Sequence, residues 1–423
     1  MKLKNKKFTA IFSLLLTLSL SSGVLAANPS VSSTMPTIYA QSAISIDLKT
    51  NEIIYEKNID NILYPASTTK LLTALLLAES KNKTDYLTYT QSAKIQPEFS
   101  LNTNLYPINV GDKMTAKDAL YGLLLYSGND VAYMIADNVS GDAKSFVAKM
   151  NERVATLKLK NTHFVTPNGL HDKQHYTTAY DLSVIAKVAY NNPWVSETMG
   201  TKTADITTTS GIKMTVENRN KLLGKDGCLG GKTGYTSDAG KCLVTVYERE
   251  GRKILGVVLK SVYDANDTFV FDDMEKVINW SYSAKPKTQY VSNSVIKTET
   301  FKYKPFVFFG PEKSIQVPLI AKQDVTYYDN KVNNAEMKEI FKFNKINLSS
   351  ITGGKSIGVL QLSERDSLKS YDLYSSLSVG TIIKANIVLY IGFLAVLMLL
   401  ILALVVLIRK IFKRKRGNKT YYY

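Results

Sequence analysis

Tyr64-Pro65-Ala66-Ser67-Thr68-Thr69-Lys70 runs straight into Leu71-Leu72-Thr73-Ala74-Leu75-Leu76-Leu77. The apolar spacing predicts a helix over 68–80. Residues three apart share a helix face, so Lys70 can point its amine at the Ser67 hydroxyl. A serine hydroxyl is a poor nucleophile unless a base sits beside it, and a desolvated, neutral lysine is such a base. A place in the first turn adds the positive end of the helix, which helps expel the lysine's proton and steadies a nearby oxyanion. Ser-x-x-Lys alone says little, because Ser80, Ser210 and Ser294 also stand three residues ahead of Lys83, Lys213 and Lys297. Of these four, the one at Ser67 opens a strong apolar helix.

Two further short motifs lie downstream. Ser127-Gly128-Asn129 interrupts 116–138, a stretch with helical spacing, between Leu123-Leu124-Leu125 and Val131-Ala132. All three residues lower helix propensity, so a plain core helix is disfavoured there. Lys232-Thr233-Gly234 follows Gly230-Gly231 and precedes a β-type run at 242–247. Flanking glycines let a strand approach a ligand closely. A lysine on that strand would be a second cation near Lys70 and would depress the pKa of its amine.

Around these motifs, 43–47 and 52–55 predict a hairpin with a polar turn, and 143–157 predicts a helix. Thr178 with Asp181 resembles a capping box that starts a helix over 182–190. Strands are expected at 242–247 and 254–260, with a last helix over 272–281. Strands at both ends with helices between them predict a sheet packed by helices, an α/β or α+β domain. Beyond Lys285-Pro286-Lys287, alternation at 294–303, 314–320, 324–328 and 356–362 predicts a small all-β domain over 290–375, with 368–384 as a link onward.

The chain has 423 residues, 45% hydrophobic and 21% charged, enough for two or three domains with a buried core. The net charge of +17 sits largely at the ends. Lys2, Lys4, Lys6 and Lys7 open the chain, and seven basic residues follow Ile408. Without these the body keeps only +6, which argues against nucleic acid as a partner. Residues 1–27 read as a signal peptide, with a basic start, an apolar run and small residues at 24–27. Residues 387–408 are 22 positions without a charge, enough to span a bilayer as one transmembrane helix. The basic tail 409–423 should stay cytoplasmic by the positive-inside rule. The expected place is therefore the cell membrane, single-pass, with the body on the extracytoplasmic side. The β domain would be a spacer between bilayer and catalytic body. Cys228 and Cys242 would share an oxidising compartment, but a hairpin turning near Ser237-Asp238 puts Cys228 opposite about Tyr247. His163, His171 and His175 fit no common zinc spacing, and structural hydrogen bonding is expected of them.

Ser-x-x-Lys, Ser-x-Asn and Lys-Thr-Gly, in this order, are the signature of penicillin-binding proteins and serine β-lactamases. Over 36–285 the chain resembles the D-alanyl-D-alanine carboxypeptidases, the low-molecular-mass penicillin-binding proteins. Tyr64–Lys70 looks like their nucleophile segment, 161–164 and 167–172 like their middle loop, and Lys232-Thr233-Gly234-Tyr235-Thr236 like their third motif. The resemblance implies a penicillin-binding, β-lactamase-like transpeptidase fold followed by a β domain and a C-terminal membrane anchor. It implies Ser67 as nucleophile, Lys70 as general base and Ser127 as proton carrier. Asn129, Lys232, Thr233, Gly234 and Tyr235 would bind the substrate, with Ser67 and Tyr235 N–H groups as oxyanion hole. The implied substrate is a peptidoglycan stem peptide ending in D-Ala-D-Ala, with β-lactams as covalent inhibitors, membrane lipid around the helix, and neither metal nor organic cofactor. Val270 stands where the family usually carries a carboxylate-binding arginine, for which Thr233 and Lys232 alone or Arg219 would substitute, and Asn168 where it often has histidine. No Glu-x-x-Leu-Asn follows the second motif, which disfavours a β-lactamase. The reading from another class is a non-catalytic wall scaffold or penicillin sensor.

Overall fold

The computed structural model describes residues 34–417 apart from 98, 308 and 353. The expected signal peptide and the last residues of the basic tail lie outside the described residues. The central sheet is built from β1 (Ser42–Asp47), β2 (Ile53–Lys57), β3 (Cys228–Thr236), β4 (Gly240–Arg249) and β5 (Arg252–Ser261), in the order β2-β1-β5-β4-β3 with every neighbour antiparallel. The first and last parts of the region thus meet in the sheet, and the intervening helices pack on one face of it.

Period-two alternation sorts the strands between two apolar layers. Val244, Val246, Leu255, Val257 and Leu259 face the helical layer. Leu243, Tyr247, Ile254 and Val258 face the opposite layer with Val270, Met274, Val277 and Ile278. Those last four belong to the helix Thr268–Ser283, which begins four residues earlier than the spacing predicts. The helix Lys70–Ser80, preceded by a 3-10 turn Ala66–Thr69, is buried nearly all round at the centre of the helical layer. A helix that is apolar on all faces belongs there. Thr178 caps the helix Ala179–Asn191 by accepting from the Asp181 N–H.

The expected helix over 116–138 is three pieces. An α-helix Ala116–Tyr121 passes into a π-turn Gly122–Tyr126, Ser127 adopts φ 77°, and a new helix runs Asn129–Ser140. Cys228 pairs with Tyr247 and Gly234 with Cys242, so the two cysteines are apart in the hairpin, buried and free.

A second antiparallel sheet holds β6 (Val295–Tyr303), β7 (Lys313–Ala321), β8 (Lys338–Phe343), β9 (Gly358–Glu364) and β10 (Ser367–Ser375), in the order β6-β7-β10-β9-β8. Val317, Leu319, Leu360, Leu362, Tyr371 and Leu373 bury one face. Strand β10 corrects the expected link at 368–384. Its inward face opens with Ser367 and Lys369 before Tyr371 and Leu373, and its outward face carries Leu368, so the pattern does not read as a strand in isolation. The chain then enters one helix, Val379–Gly417, eight residues before the uncharged run begins. Its Ile382 is part of the β core. The helix is long and apolar enough to cross a membrane.

The two sheets are joined by polar contacts. Asn330 and Asn333 both donate to the Ile53 carbonyl at 2.9 Å. Arg365 meets Asp60 at 2.7 Å, and Lys369 meets Glu52 at 2.6 Å.

Candidate active site

The 3-10 turn presents Ser67 at the mouth of a cleft, one residue after Ala66 at φ 48°. Positive φ is uncommon outside glycine and marks positions that the surroundings hold in place. One turn on, Lys70 is fully buried beneath it. Its Nζ lies 2.9 Å from Ser67 Oγ, 2.9 Å from Asn129 Oδ1 and 2.7 Å from the Asn168 carbonyl oxygen. The two carbonyl-type oxygens can only accept. An uncharged amine gives them its two hydrogens, and its lone pair is then left for the Ser67 hydroxyl. Burial first, then the charges of Lys232 and Arg219, hold the Lys70 pKa well below the usual lysine value. The site therefore favours the form of lysine that can accept a proton.

Ser127 and Lys232 form a second pair. The positive φ of Ser127 turns its hydroxyl toward β3, where Lys232 Nζ donates to it at 2.9 Å and to the Thr233 carbonyl at 3.0 Å. Burial, with Arg219 nearby, brings the Lys232 pKa down to about 7. Asn129 starts the next helix, its N–H donating to the Phe99 carbonyl at 2.9 Å. The following Asp130 is buried and accepts from the Leu101, Asn102 and Val131 N–H groups and the Tyr89 hydroxyl, which orders the loop that carries Phe99.

Strand β3 lies against the nucleophile turn. A methyl group on Gly234 would sit 3.0 Å from the Ser67 nitrogen and 3.1 Å from that of Thr68. Only glycine allows this approach, and it sets the strand's edge beside the Ser67 N–H. Thr233, Gly234 and Tyr235 line the cleft with Ser67, Ser127 and Asn129. The Tyr235 ring packs on Tyr263, and Lys241 lies over both. All eight residues singled out in the sequence thus converge, six on the cleft wall and the two lysines buried behind it.

The loop after the helix Ala143–Thr156 supports the nucleophile from the other side. Thr73 donates to the Pro167 carbonyl at 2.6 Å. Gly169, at φ 82°, leaves no room for a methyl group, which would lie 2.0 Å from the Ala66 carbonyl oxygen. His175 Nδ1 accepts the Val165 N–H at 3.0 Å, so Nε2 carries the hydrogen and donates to Thr69 Oγ1 at 2.9 Å. Burial pushes its pKa down to about 3, which keeps it neutral in this bracing role. His171 packs edge-on to Tyr64, and His163 Nδ1 lies 2.7 Å from the Gln174 carbonyl. Among the described residues no group of three His, Cys, Asp or Glu side chains is placed to hold a metal ion.

Two contributors were not selected from the sequence as site residues. Asn168 acts through its backbone oxygen, which every residue possesses. Arg219 was weighed only as a substitute. It lines the cleft with its guanidinium over Tyr126 at 4.7 Å and Phe99 at 5.2 Å. Val270 is part of the same wall.

Residues 29–262 match the family described as D-alanyl-D-alanine carboxypeptidase. The Bacillus subtilis D-alanyl-D-alanine carboxypeptidase DacF is 29% identical over 328 residues, covering 76% of this chain and 81% of its own. A Streptomyces D-alanyl-D-alanine carboxypeptidase is 34% identical over 278 residues, covering 62% of this chain and 94% of its own. The crystal structure of the Streptomyces K15 DD-transpeptidase matches with a TM-score of 0.54 at 32% identity, covering 59% of this chain and 99% of that one.

Proposed function

This chain belongs to the D-alanyl-D-alanine carboxypeptidase family, and on that premise we propose that it trims peptidoglycan stem peptides through an acyl-enzyme on Ser67. The observation that supports this reading best is the Lys70 amine, whose two carbonyl partners leave its lone pair for Ser67. Lys70 takes the hydroxyl proton as Ser67 Oγ bonds to the carbonyl carbon between the two terminal D-alanines. The oxyanion is met by the N–H groups of Ser67 and Tyr235, a donor pair of the kind that commonly contributes about 3 kcal/mol per donor. Ser127, bonded to Lys232, delivers a proton to the departing D-alanine amine. Asn129 holds both the peptide and Lys70. Water then releases the shortened peptide and restores Ser67.

The terminal carboxylate of the substrate needs a cation. Lys232 comes down to about 7, and Lys241, the other lysine at the cleft, is paired with Asp267, which leaves Arg219 as the cation for the carboxylate. Arg219 therefore takes the carboxylate together with Thr233, in place of an arginine at Val270. Penicillin, which carries a carboxylate beside a strained amide, enters the same way and leaves Ser67 acylated. In the proposed organisation, residues 1–27 direct export and 36–285 carry catalysis. The β region 290–375 lifts the cleft above the bilayer, 387–408 span it, and 409–423 remain cytoplasmic.

Incubating the detergent-solubilised protein with benzylpenicillin and measuring its intact mass tests this reading. One adduct, mapped to the Ser67 peptide and lost in Ser67→Ala, is expected. A folded protein without an adduct would give the lead to the non-catalytic scaffold or sensor. The K15 relative is described as a DD-transpeptidase. Transfer to an amine acceptor is therefore the second reading, and assays with and without added acceptor separate it from hydrolysis.

A further inference from the structure

The β6–β7 hairpin ends in Lys304-Pro305-Phe306-Val307-Phe308-Phe309-Gly310-Pro311, an apolar tip on an otherwise polar connection. Val307 is 41% exposed and Phe309 53% exposed. Soluble surfaces rarely present such a cluster without a partner. The tip leans on the long helix. Phe306 stacks on Phe309 at 4.9 Å and meets the rings of Phe393 at 4.8 Å and Tyr390 at 5.5 Å. The Tyr390 hydroxyl donates to the Pro305 carbonyl at 3.1 Å. Asn386, nearly fully buried, donates to the Tyr303 hydroxyl at 2.7 Å and accepts from Lys313 at 2.9 Å. The hairpin is thereby fixed to the helix at two levels.

Those levels locate the tip. Phe393 lies six residues past Ile387, where the uncharged run begins, which is about 9 Å along a helix axis. If the helix spans a bilayer, as the reading above holds, the rings packed on Phe393 lie within about 10 Å of the boundary of headgroups and acyl chains, on its acyl side. Aromatic side chains concentrate at that depth. Lys304 is exposed at the base of the tip and Lys384 on the helix, both on the headgroup side. Their charge suits anionic phospholipid.

We propose that the hairpin tip, through Pro305, Phe306, Val307 and Phe309, is a second membrane contact, inserted into the headgroup–acyl boundary beside the helix. The partner is the phospholipid of the membrane that the helix crosses. Two contacts, unlike one, fix the tilt of the β6–β10 sheet over the bilayer.

The full chain, reconstituted into phosphatidylglycerol–phosphatidylethanolamine vesicles, tests this with a polarity-sensitive thiol probe. The probe is placed at Val307→Cys, at Leu397→Cys within the span, or at Val295→Cys on the opposite end of β6. Cys228 and Cys242 are buried, and the unsubstituted chain gives the labelling background. The expected result is blue-shifted emission at Val307, quenched more by nitroxide near the lipid headgroup than by nitroxide at the chain end. Leu397 should show the reverse preference, and Val295 neither effect. Quenching at Leu397 with water-like emission at Val307 overturns the loop contact and leaves the spanning helix standing. No quenching at either position overturns the spanning reading and the loop contact with it. Blue-shifted emission at Val307 that lipid nitroxide does not quench means that protein, such as a second copy of the chain, covers the loop, and this also overturns the proposal.

Discussion

Two oxygen acceptors occupy both hydrogens of an uncharged Lys70, so a third proton switches the base off. Burial and the positive charges of Lys232 and Arg219 all lower the pH at which that proton leaves. Acylation by benzylpenicillin should therefore rise with pH across neutrality, on a limb well below the ordinary lysine range. The limb belongs to the Lys70–Lys232 pair rather than to either residue. Arg219→Gln removes one of the depressing charges and should move the limb upward, besides weakening substrates that carry a carboxylate. Stopped-flow acylation rates at a series of pH values measure both effects. An unmoved limb would separate Arg219 from the electrostatics of the lysines. Ser67, Lys70, Ser127, Asn129 and Lys232 were legible because their chemistry is written in side-chain type and order. The carbonyl of Asn168 was not, since nothing in its residue type announces a backbone acceptor. Arg219 was legible as a stand-in for the arginine missing at Val270, but its effect on the two lysines was not, because it arises through folding from a segment with no motif of its own.

Strand β3 and the turn at Ser67 touch where Gly234 has no side chain. In Gly234→Ala the methyl group meets the Ser67 and Thr68 nitrogens, and the strand must withdraw by a few tenths of an ångström. A displacement of catalytic parts by a fraction of an ångström is expected to slow acylation by about 10-fold, with only a small change in melting temperature. Comparing acylation rates with thermal melts checks it, and a normal rate would show that the close approach is dispensable. The strand was anticipated from its glycines, and the hairpin register that sets Cys228 opposite Tyr247 was readable from the turn. The π-turn at Gly122–Tyr126 was not, because Leu123, Leu124 and Leu125 serve α and π geometry equally and tertiary packing chooses between them. Strand β10 escaped for a related reason. Leu368 faces outward while Ser367 and Lys369 share the inward face with Tyr371 and Leu373, so its pattern has meaning only beside β9.

The junction of the two sheets carries a titrating group. Glu364 is 3% exposed, neither of its carboxylate oxygens has a hydrogen-bond partner among the described residues, and burial raises its pKa to about 7. The ion pair of Lys369 with Glu52 lies beside it. The folded protein holds a proton here that the unfolded chain sheds above its ordinary value of 4.5. Stability is then full at acid pH and declines as pH rises through 7. Glu364→Gln should therefore match the parent near pH 5 and exceed it near pH 8 by about 1 to 2 kcal/mol, after a discount for solvent screening. Denaturant melts at the two pH values measure the difference, and equal stability at both would refute it. Contacts of this kind, between residues far apart in the chain, leave no trace in a local pattern.

Only Ser376, Leu377 and Ser378 separate the last strand from the long helix, whose Ile382 sits in the β core and whose Asn386 is bonded to Tyr303. The attachment is a post rather than a leash. On a bilayer that the helix crosses, the nucleophile keeps one altitude, and its freedom reduces to drifting and spinning in a plane. With the cleft on the wall side, as proposed above, the enzyme would sample a thin slab of wall at constant height, and the distance of a stem terminus from the membrane, as well as its chemistry, would decide whether it is cut.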